Sequence, residues 1–123
     1  MHQVSWEEAQ LPPIGILSPA YKSNGHVFTS GCVGSLPDGS IAETVEEQTE
    51  LAIKNLSTIL TTSGSSLDKV LKVLLFIADP ADGPKVNEIY AKYFLQKPAR
   101  SCVVVAFPNG KIKVELECVA EYE

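Results

Sequence analysis

Long hydrophobic runs are missing from this sequence. No stretch approaches the roughly 20 consecutive apolar residues that a membrane-spanning helix requires. The N-terminal segment MHQVSWEEAQ (1–10) is acidic and lacks the basic start and apolar core of a signal peptide. We therefore expect an intracellular protein with a cytoplasmic location, and a mitochondrial location stays open.

Basic residues are also scarce. Ten lysines and arginines stand against fifteen aspartates and glutamates, which gives a formal net charge of −5. With no long basic run, this balance disfavours nonspecific binding to nucleic acids or anionic membranes, although a local basic pocket is compatible with it. The lack of a basic and aromatic groove also counts against an endoribonuclease or translation inhibitor.

Cysteine and histidine are too few, and wrongly spaced, for a metal site or a disulfide framework. The three cysteines, Cys32, Cys102 and Cys118, form no CxxC pair, and neither of the two histidines has ligand-like spacing to them. Each cysteine is therefore predicted to be a small buried hydrophobe in a reducing compartment. No phosphate-binding glycine loop occurs either, so we expect no metal and no organic cofactor.

Apolar residues are abundant. They make up 45% of the 123 residues, against 20% charged residues, which predicts a packed core rather than disorder. The length predicts one domain over residues 1–123. A chain this short buries only about two-thirds of its unfolded surface, so oligomerisation would help it.

Two segments have helical periodicity. In residues 44–63 the apolar residues fall on one stripe, and Thr44 with Glu47 three positions later suits a capping box. In residues 84–95 the apolar residues recur at three- and four-residue spacing, behind a proline that suits a first turn.

The remaining apolar segments predict strands at 26–31, 70–78, 101–107 and 112–120. Segment 70–78 is apolar throughout and predicts a strand buried on both faces, whereas 112–120 alternates and predicts a half-buried strand. With one further strand of unassigned bounds near the N-terminus, the order is roughly β-β-α-β-α-β-β, which indicates an α+β or mixed α/β domain with two helices covering one face of the sheet. The other face carries Glu115, and a sister subunit is an economical way to cover it.

One charged pair stands out. If strands 101–107 and 112–120 form a hairpin across the intervening turn, Arg100 and Glu115 become near neighbours. The arginine could then hold a substrate carboxylate through two parallel hydrogen bonds, and the glutamate could position or deprotonate a water. The alternative is a surface ion pair worth about 0–1 kcal/mol.

Other polar residues give weaker signals. Ser30 and Gly31 offer a hydroxyl and open backbone amides, but no Ser-His-Asp or Cys-His set accompanies them, so nucleophilic catalysis is poorly supported. Asn87 lies within the second predicted helix. It is either a residue that caps or packs, or part of a binding site.

Five ordered blocks carry a family resemblance: FTSG (28–31), LDKVLKVLLFIAD (67–79), VNEIYAKYF (86–94), PARSCVVVA (98–106) and KVELECVA (113–120). With them the chain resembles the Rid family, also called the YjgF family, from about residue 15 onward. The resemblance implies a chorismate-mutase-like fold with a six-stranded mixed sheet. It also implies a homotrimer whose sheets form a central barrel, with clefts between subunits.

The resemblance further implies a cofactor-free deaminase that hydrolyses reactive 2-imino and 2-enamino acids to 2-keto acids and ammonia. Arg100 matches the arginine that binds the substrate carboxylate. Glu115 matches a glutamate near the imine nitrogen and the attacking water. The backbone of Cys102 is expected to line the site, with Ser30 and Gly31 on the opposite wall.

The chain departs from the family pattern around this site. Leu17 stands where the family has a tyrosine that closes the pocket, and Pro19 and Cys32 each replace a glutamine. Leu17 and Asn87 complete the expected substrate-binding residues. The departures leave open a second reading, a non-catalytic trimer that binds small carboxylate metabolites.

Overall fold

A computed structural model describes residues 1–123 and contains one mixed sheet with helices on one face. The elements are β1 (His2–Val4), α1 (Trp6–Ala9), β2 (Ala20–Ser23), β3 (His26–Thr29), β4 (Cys32–Val33), α2 (Val45–Thr62), β5 (Val70–Ile77), α3 (Gly83–Tyr93), β6 (Ala99–Val104) and β7 (Val114–Glu121). The sheet order is β1-β2-β3-β7-β5-β6, and β4 continues alongside β7. The predicted α+β class is confirmed. The sheet has seven strands rather than six.

The helix predictions are confirmed closely. The Thr44 hydroxyl accepts a hydrogen bond from the backbone N–H of Glu47 at 3.1 Å, so α2 begins where the capping pattern indicated. The chain leaves α2 at Gly64, whose φ of +83° is favourable only for glycine. The longest helix, α2, is amphipathic, and none of the helices has the length and apolarity to span a bilayer.

Strand β5 is an interior strand of the sheet, between β7 and the edge strand β6, but helices cover only one of its faces. Val73, Leu75 and Ile77 are buried beneath the helices. Leu74 and Phe76, which point the other way, are only partly buried. The prediction that this strand is buried on both faces is therefore wrong for the single chain, because nothing in it covers the second face, called here the open face.

The predicted hairpin is also wrong. Strand β6 pairs only with β5, in parallel, while β7 pairs antiparallel with β5 on its other side. The connection from β5 to β6 contains α3, as a parallel crossover requires, and β5 then separates β6 from β7. The turn after β6 therefore leads across the sheet to β7 instead of folding back beside β6.

A buried glutamine fixes the start of β7. The side chain of Gln48 is fully buried and donates hydrogen bonds to the carbonyls of Ala42 and Lys111 at 2.9 and 2.8 Å. Its carbonyl oxygen accepts from the backbone N–H of Lys113 at 2.8 Å. These bonds tie α2 to the segment that enters β7, and so hold the strand that carries Glu115.

Candidate functional site

The seven predicted site residues fall into two groups on opposite faces of the sheet. One group, called here the Glu115 group, lies toward the open face and beside the N-terminal segment. The other, called the Arg100 group, lies on the helix-covered face. The Glu115 group is Leu17, Ser30, Gly31 and Glu115, and the Arg100 group is Asn87, Arg100 and Cys102.

A β-bulge shapes the Glu115 group. Pairing of β3 with β7 ends at Phe28 opposite Val119, and pairing of β4 begins at Cys32 opposite Leu116, so three residues face two. The hydroxyl of Thr29 accepts from the backbone N–H of Cys118 at 3.0 Å and replaces a lost ladder bond. The bulge thereby turns residues 30–31 out of the regular ladder.

Ser30 fastens the Leu17 segment beside this bulge. Its backbone N–H donates to the Pro19 carbonyl at 2.9 Å, and its hydroxyl donates to the Ser18 carbonyl at 2.7 Å. The indole N–H of Trp6 donates to the Leu17 carbonyl at 2.7 Å. The side chain of Leu17 is left 47% exposed, at the rim of the group.

The carboxylate of Glu115 lies against the backbone of Gly31. A methyl group on Gly31 would overlap the Glu115 carboxyl oxygen, so only glycine permits this approach. Burial raises the pKa of Glu115, and the neighbouring charge of Glu117 raises it further. The only ion pair in the structure, between Lys69 and Glu123, lies elsewhere. Glu115 is thus a partly desolvated carboxylate suited to accepting a proton.

Two residues of α3, Asn87 and Tyr90, together with Phe94 at its C-terminal end, form the support of Arg100. The guanidinium of Arg100 donates to the side-chain oxygen of Asn87 at 2.9 Å and lies 4.7 Å from the ring centroid of Tyr90. Tyr90 in turn stacks on Phe94 at 4.3 Å between centroids. The support orients the guanidinium and leaves its remaining N–H groups available for an anion.

Tyr90 was not among the predicted site residues. Its signal in the sequence is its place three residues after Asn87, on the same side of a helix. Its hydroxyl is buried without a hydrogen-bond partner, and burial raises its pKa. The flat ring is therefore the part of Tyr90 that the Arg100 group uses.

The three cysteines differ in their burial. Cys102 is exposed on β6, two residues beyond Arg100, so the prediction that all three cysteines are buried is wrong there, because β6 is an edge strand. Cys32 and Cys118 are buried as predicted, and burial raises the pKa of Cys118 to about 12. Nowhere do three or more side chains come together in an arrangement that would hold a metal ion.

Within one chain the two groups are far apart. Arg100 pairs with Val73, which pairs with Cys118, three residues along β7 from Glu115. Two strand spacings across and three residues along place the two backbones about 14 Å apart. The side chains also point to opposite faces, so one small ligand cannot contact both in a single chain.

Comparisons with known proteins agree on a family. A family model described as Endoribonuclease L-PSP matches residues 7–122. Reactive Intermediate Deaminase A, chloroplastic, from Arabidopsis thaliana is 44% identical over 120 residues, which cover 95% of this chain. The chain spans 64% of that relative's length. Protein mmf1, mitochondrial, from Schizosaccharomyces pombe is 39% identical over 116 residues, covering 90% of this chain and 71% of that protein.

Solved structures give the same answer. The crystal structure of E. coli TdcF with bound serine superposes with a TM-score of 0.88 at 29% identity, covering 100% of this chain and 99% of that one. The match spans every element, from β1 to β7. Together with the family model, these relatives establish that the chain belongs to the Rid (YjgF) family.

Proposed function

We propose that the protein hydrolyses 2-imino and 2-enamino acids to 2-keto acids and ammonia, at a cleft formed between two copies of the chain. The observation that carries this proposal is the division of the site. One face holds an oriented guanidinium, and the other holds a partly desolvated carboxylate beside a glycine backbone. The Arg100 group of one copy then faces the Glu115 group of a neighbour.

The Arg100 group binds the substrate carboxylate. A guanidinium offers two parallel N–H groups to a carboxylate, and each charge-assisted bond is worth about 1.5–3 kcal/mol. Asn87 and Tyr90 hold the guanidinium in place before the ligand arrives, which reduces the entropy lost on binding.

The Glu115 group carries the hydrolysis. The carboxylate of Glu115 accepts a proton from a water whose oxygen attacks C2 of the imine, and passes this proton to the imine nitrogen as the C=N bond becomes a single bond. In the collapse of this adduct Glu115 takes the proton of the C2 hydroxyl and delivers it to the leaving nitrogen, so the C2 carbonyl forms, the C–N bond breaks and ammonia is released. A carboxyl group with a raised pKa suits both proton transfers.

Assembly as a homotrimer would complete the clefts and cover the open face. That face carries large apolar side chains that a single chain leaves in water: Tyr21, Phe28 and Val103 are 39%, 48% and 42% exposed. Burying them favours association. Sedimentation equilibrium at micromolar concentration should give three times the chain mass, and a monomer mass would contradict the assembly.

The proposed cellular compartment follows from the chemistry of the cysteines. The free cysteines suit a reducing compartment, and we place the protein in the cytoplasm, with mitochondria as the alternative. The names of the two relatives above, chloroplastic and mitochondrial, make organelles worth testing. Subcellular fractionation decides between them.

A non-catalytic metabolite binder is the second candidate, and Leu17 favours it. Leu17 places an exposed apolar side chain at the rim where the family pattern has a tyrosine hydroxyl. The deciding experiment generates 2-imino acids in situ with an amino-acid oxidase and measures how fast they disappear. Acceleration above the uncatalysed rate supports the deaminase, whereas binding of 2-keto acids without acceleration supports the binder.

A further inference from the structure

An uncharged cavity of about 300 Å³ lies beside the Glu115 group. It is bounded by the N-terminal segment with Trp6, by β4, by the loop after β4 and by α2. Its volume is that of about ten liquid waters, ample for a branched aliphatic or aromatic side chain. Its walls include Trp6, Leu11, Ile14, Leu36, Ile41 and Ile59, and no charged residue lines it.

The cavity shares a wall with Glu115. Gly31 and Val33 both line the cavity. Val33 is also the cross-strand partner of Glu115, and Gly31 touches the Glu115 carboxylate. Cross-strand partners lie about 4.5–5.5 Å apart at Cβ, so Gly31 and Val33 place this wall of the cavity next to Glu115.

The side-chain N–H groups in the cavity wall, those of Trp6 and Asn55, are already engaged in hydrogen bonds. The Asn55 amide donates to the carbonyls of Val33 and Ser35 at 3.1 and 3.2 Å, and to the Ser35 hydroxyl at 3.3 Å. A charged or strongly polar group entering the cavity would lose its hydration without a matching partner. An apolar group would gain by leaving water.

We infer that this cavity receives the side chain of the substrate, and that the preferred substrates are 2-imino acids with bulky apolar side chains. This inference rests on the proposed function. It assigns the carboxylate of the ligand to Arg100, the C2 centre to Glu115 and the side chain to the cavity. Each methylene that enters the cavity should raise affinity roughly fourfold.

Trp6 reports on the cavity directly, because it lines the cavity and is the only tryptophan in the chain. The probes are the product-like acids 4-methyl-2-oxopentanoate, pyruvate and 2-oxoglutarate, titrated against the full-length assembled protein by calorimetry and by tryptophan emission. We expect 4-methyl-2-oxopentanoate to bind about 10- to 50-fold more tightly than pyruvate and to shift the emission. Pyruvate should bind without a shift, and 2-oxoglutarate should bind no better than pyruvate.

A matched pair of variants tests the position of the side chain. Leu36 lines the cavity and is 39% exposed, so Leu36→Phe narrows the cavity with little strain on the fold. Leu95, at 77% exposed and outside the cavity, provides the control Leu95→Phe. Leu36→Phe should remove most of the preference for 4-methyl-2-oxopentanoate and leave pyruvate binding unchanged, while Leu95→Phe should change neither.

The outcomes separate this inference from the proposed function. Equal binding of the large and small acids, or tight binding of 4-methyl-2-oxopentanoate with no emission change and no effect of Leu36→Phe, overturns the cavity assignment alone. Failure of all three acids to bind, or binding that Arg100→Ala leaves intact, overturns the proposed function itself. The same ranking should appear in the deamination rates of the matching 2-imino acids.

Discussion

Arg100 and Glu115 lie on opposite faces of one sheet, with β5 between the strands that carry them. Arg100 points toward α3 and contacts Asn87, while Glu115 points away from the helices and contacts Gly31. A 2-imino acid has its carboxylate bonded directly to the reacting carbon, so the two groups must approach within a few ångströms to act on it together. Under the proposed function, a second copy of the chain therefore brings an Arg100 close to this Glu115.

Removing the guanidinium should weaken ligand binding and spare the fold. Arg100→Ala should weaken pyruvate binding by about 2–4 kcal/mol, since two charge-assisted hydrogen bonds are lost. Arg100→Lys should recover only part of this, because an ammonium group cannot reproduce the planar fork. Calorimetry measures both. Unchanged affinity in a well-folded Arg100→Ala protein would show that the arginine has a structural role only.

The ring of Tyr90, and not its hydroxyl, should matter for Arg100. Tyr90→Phe keeps the stacked ring and removes a buried hydroxyl that has no partner, so affinity should persist and the melting temperature should stay level or rise. Tyr90→Leu removes the cation–π contact, worth about 0.5–2 kcal/mol, and should weaken binding by that amount. If Tyr90→Phe weakens binding as much as Tyr90→Leu does, the hydroxyl acts in the site and the ring does not.

Glu115→Gln should slow turnover on the order of 100-fold while leaving keto-acid affinity nearly unchanged, because the carboxylate acts on water and on the leaving nitrogen. In the wild type, kcat should rise with pH through the raised pKa of Glu115, since only the ionised form accepts a proton. Steady-state rates across pH, compared with calorimetry of the variant, test both parts. A variant that keeps wild-type turnover refutes the role given to Glu115.

Glu115 should also make the protein less stable as the pH rises. Between the ordinary carboxyl pKa and the raised one, the folded chain holds more protons than the unfolded chain, so the free energy of unfolding falls with increasing pH. Glu115→Gln should remove this pH-dependent loss of stability. The variant should therefore melt at a higher temperature than the wild type at pH 7, and the difference in melting temperature should be smaller at pH 4. Melts of both proteins at the two pH values provide the measurement. A lower melting temperature for the variant at pH 7 would mean that the carboxylate is stabilised by a partner.

The two glycines that flank β4, Gly31 and Gly34, should respond differently to replacement by alanine. A methyl group at Gly34 would overlap the backbone of Gln48, which cannot move aside, so Gly34→Ala should destabilise the fold by about 1–3 kcal/mol. A methyl group at Gly31 meets only the end of the Glu115 side chain, which can rotate away. Gly31→Ala should therefore keep a near-native melting temperature and lose activity. Thermal melts and rates separate the two effects, and a Gly31→Ala protein with full activity would argue against close contact at the reaction centre.

The sequence predicted the local features of this fold better than its pairings. Helix α2 is marked by its periodicity, by Thr44 at its start and by Gly64 at its end, all of which are read from neighbouring residues. The partners of β6 and β7 depend on a crossover of the whole chain, and the turn after β6 resembles an ordinary hairpin turn. Glu115 was therefore predicted correctly to lie on the last strand, but the prediction that it neighbours Arg100 across a hairpin is wrong.

The prediction of the site had the same limit: features set by neighbouring residues were predicted, and contacts between distant segments were not. Ser30, Gly31 and Glu115 lie together in the Glu115 group and Asn87 contacts Arg100, while the roles that the family resemblance gives these residues stay predictions. Tyr90 was missed because an aromatic residue at helical spacing predicts core packing, and its contact with a guanidinium depends on β6 lying beside α3. The cavity was missed because four separate segments of the chain enclose it.

Mixed oligomers test the central claim, a site shared between two copies, most directly. Arg100→Ala and Glu115→Gln proteins, each expected to have little activity alone, are unfolded together in equal amounts and refolded. If each cleft takes Arg100 from one copy and Glu115 from its neighbour, about a quarter of the clefts in a cyclic assembly receive both native residues. Deamination by the mixture should then recover to about a quarter of the wild-type rate. A mixture that stays as inactive as either parent, in assemblies shown by mass spectrometry to contain both chains, would contradict the shared site.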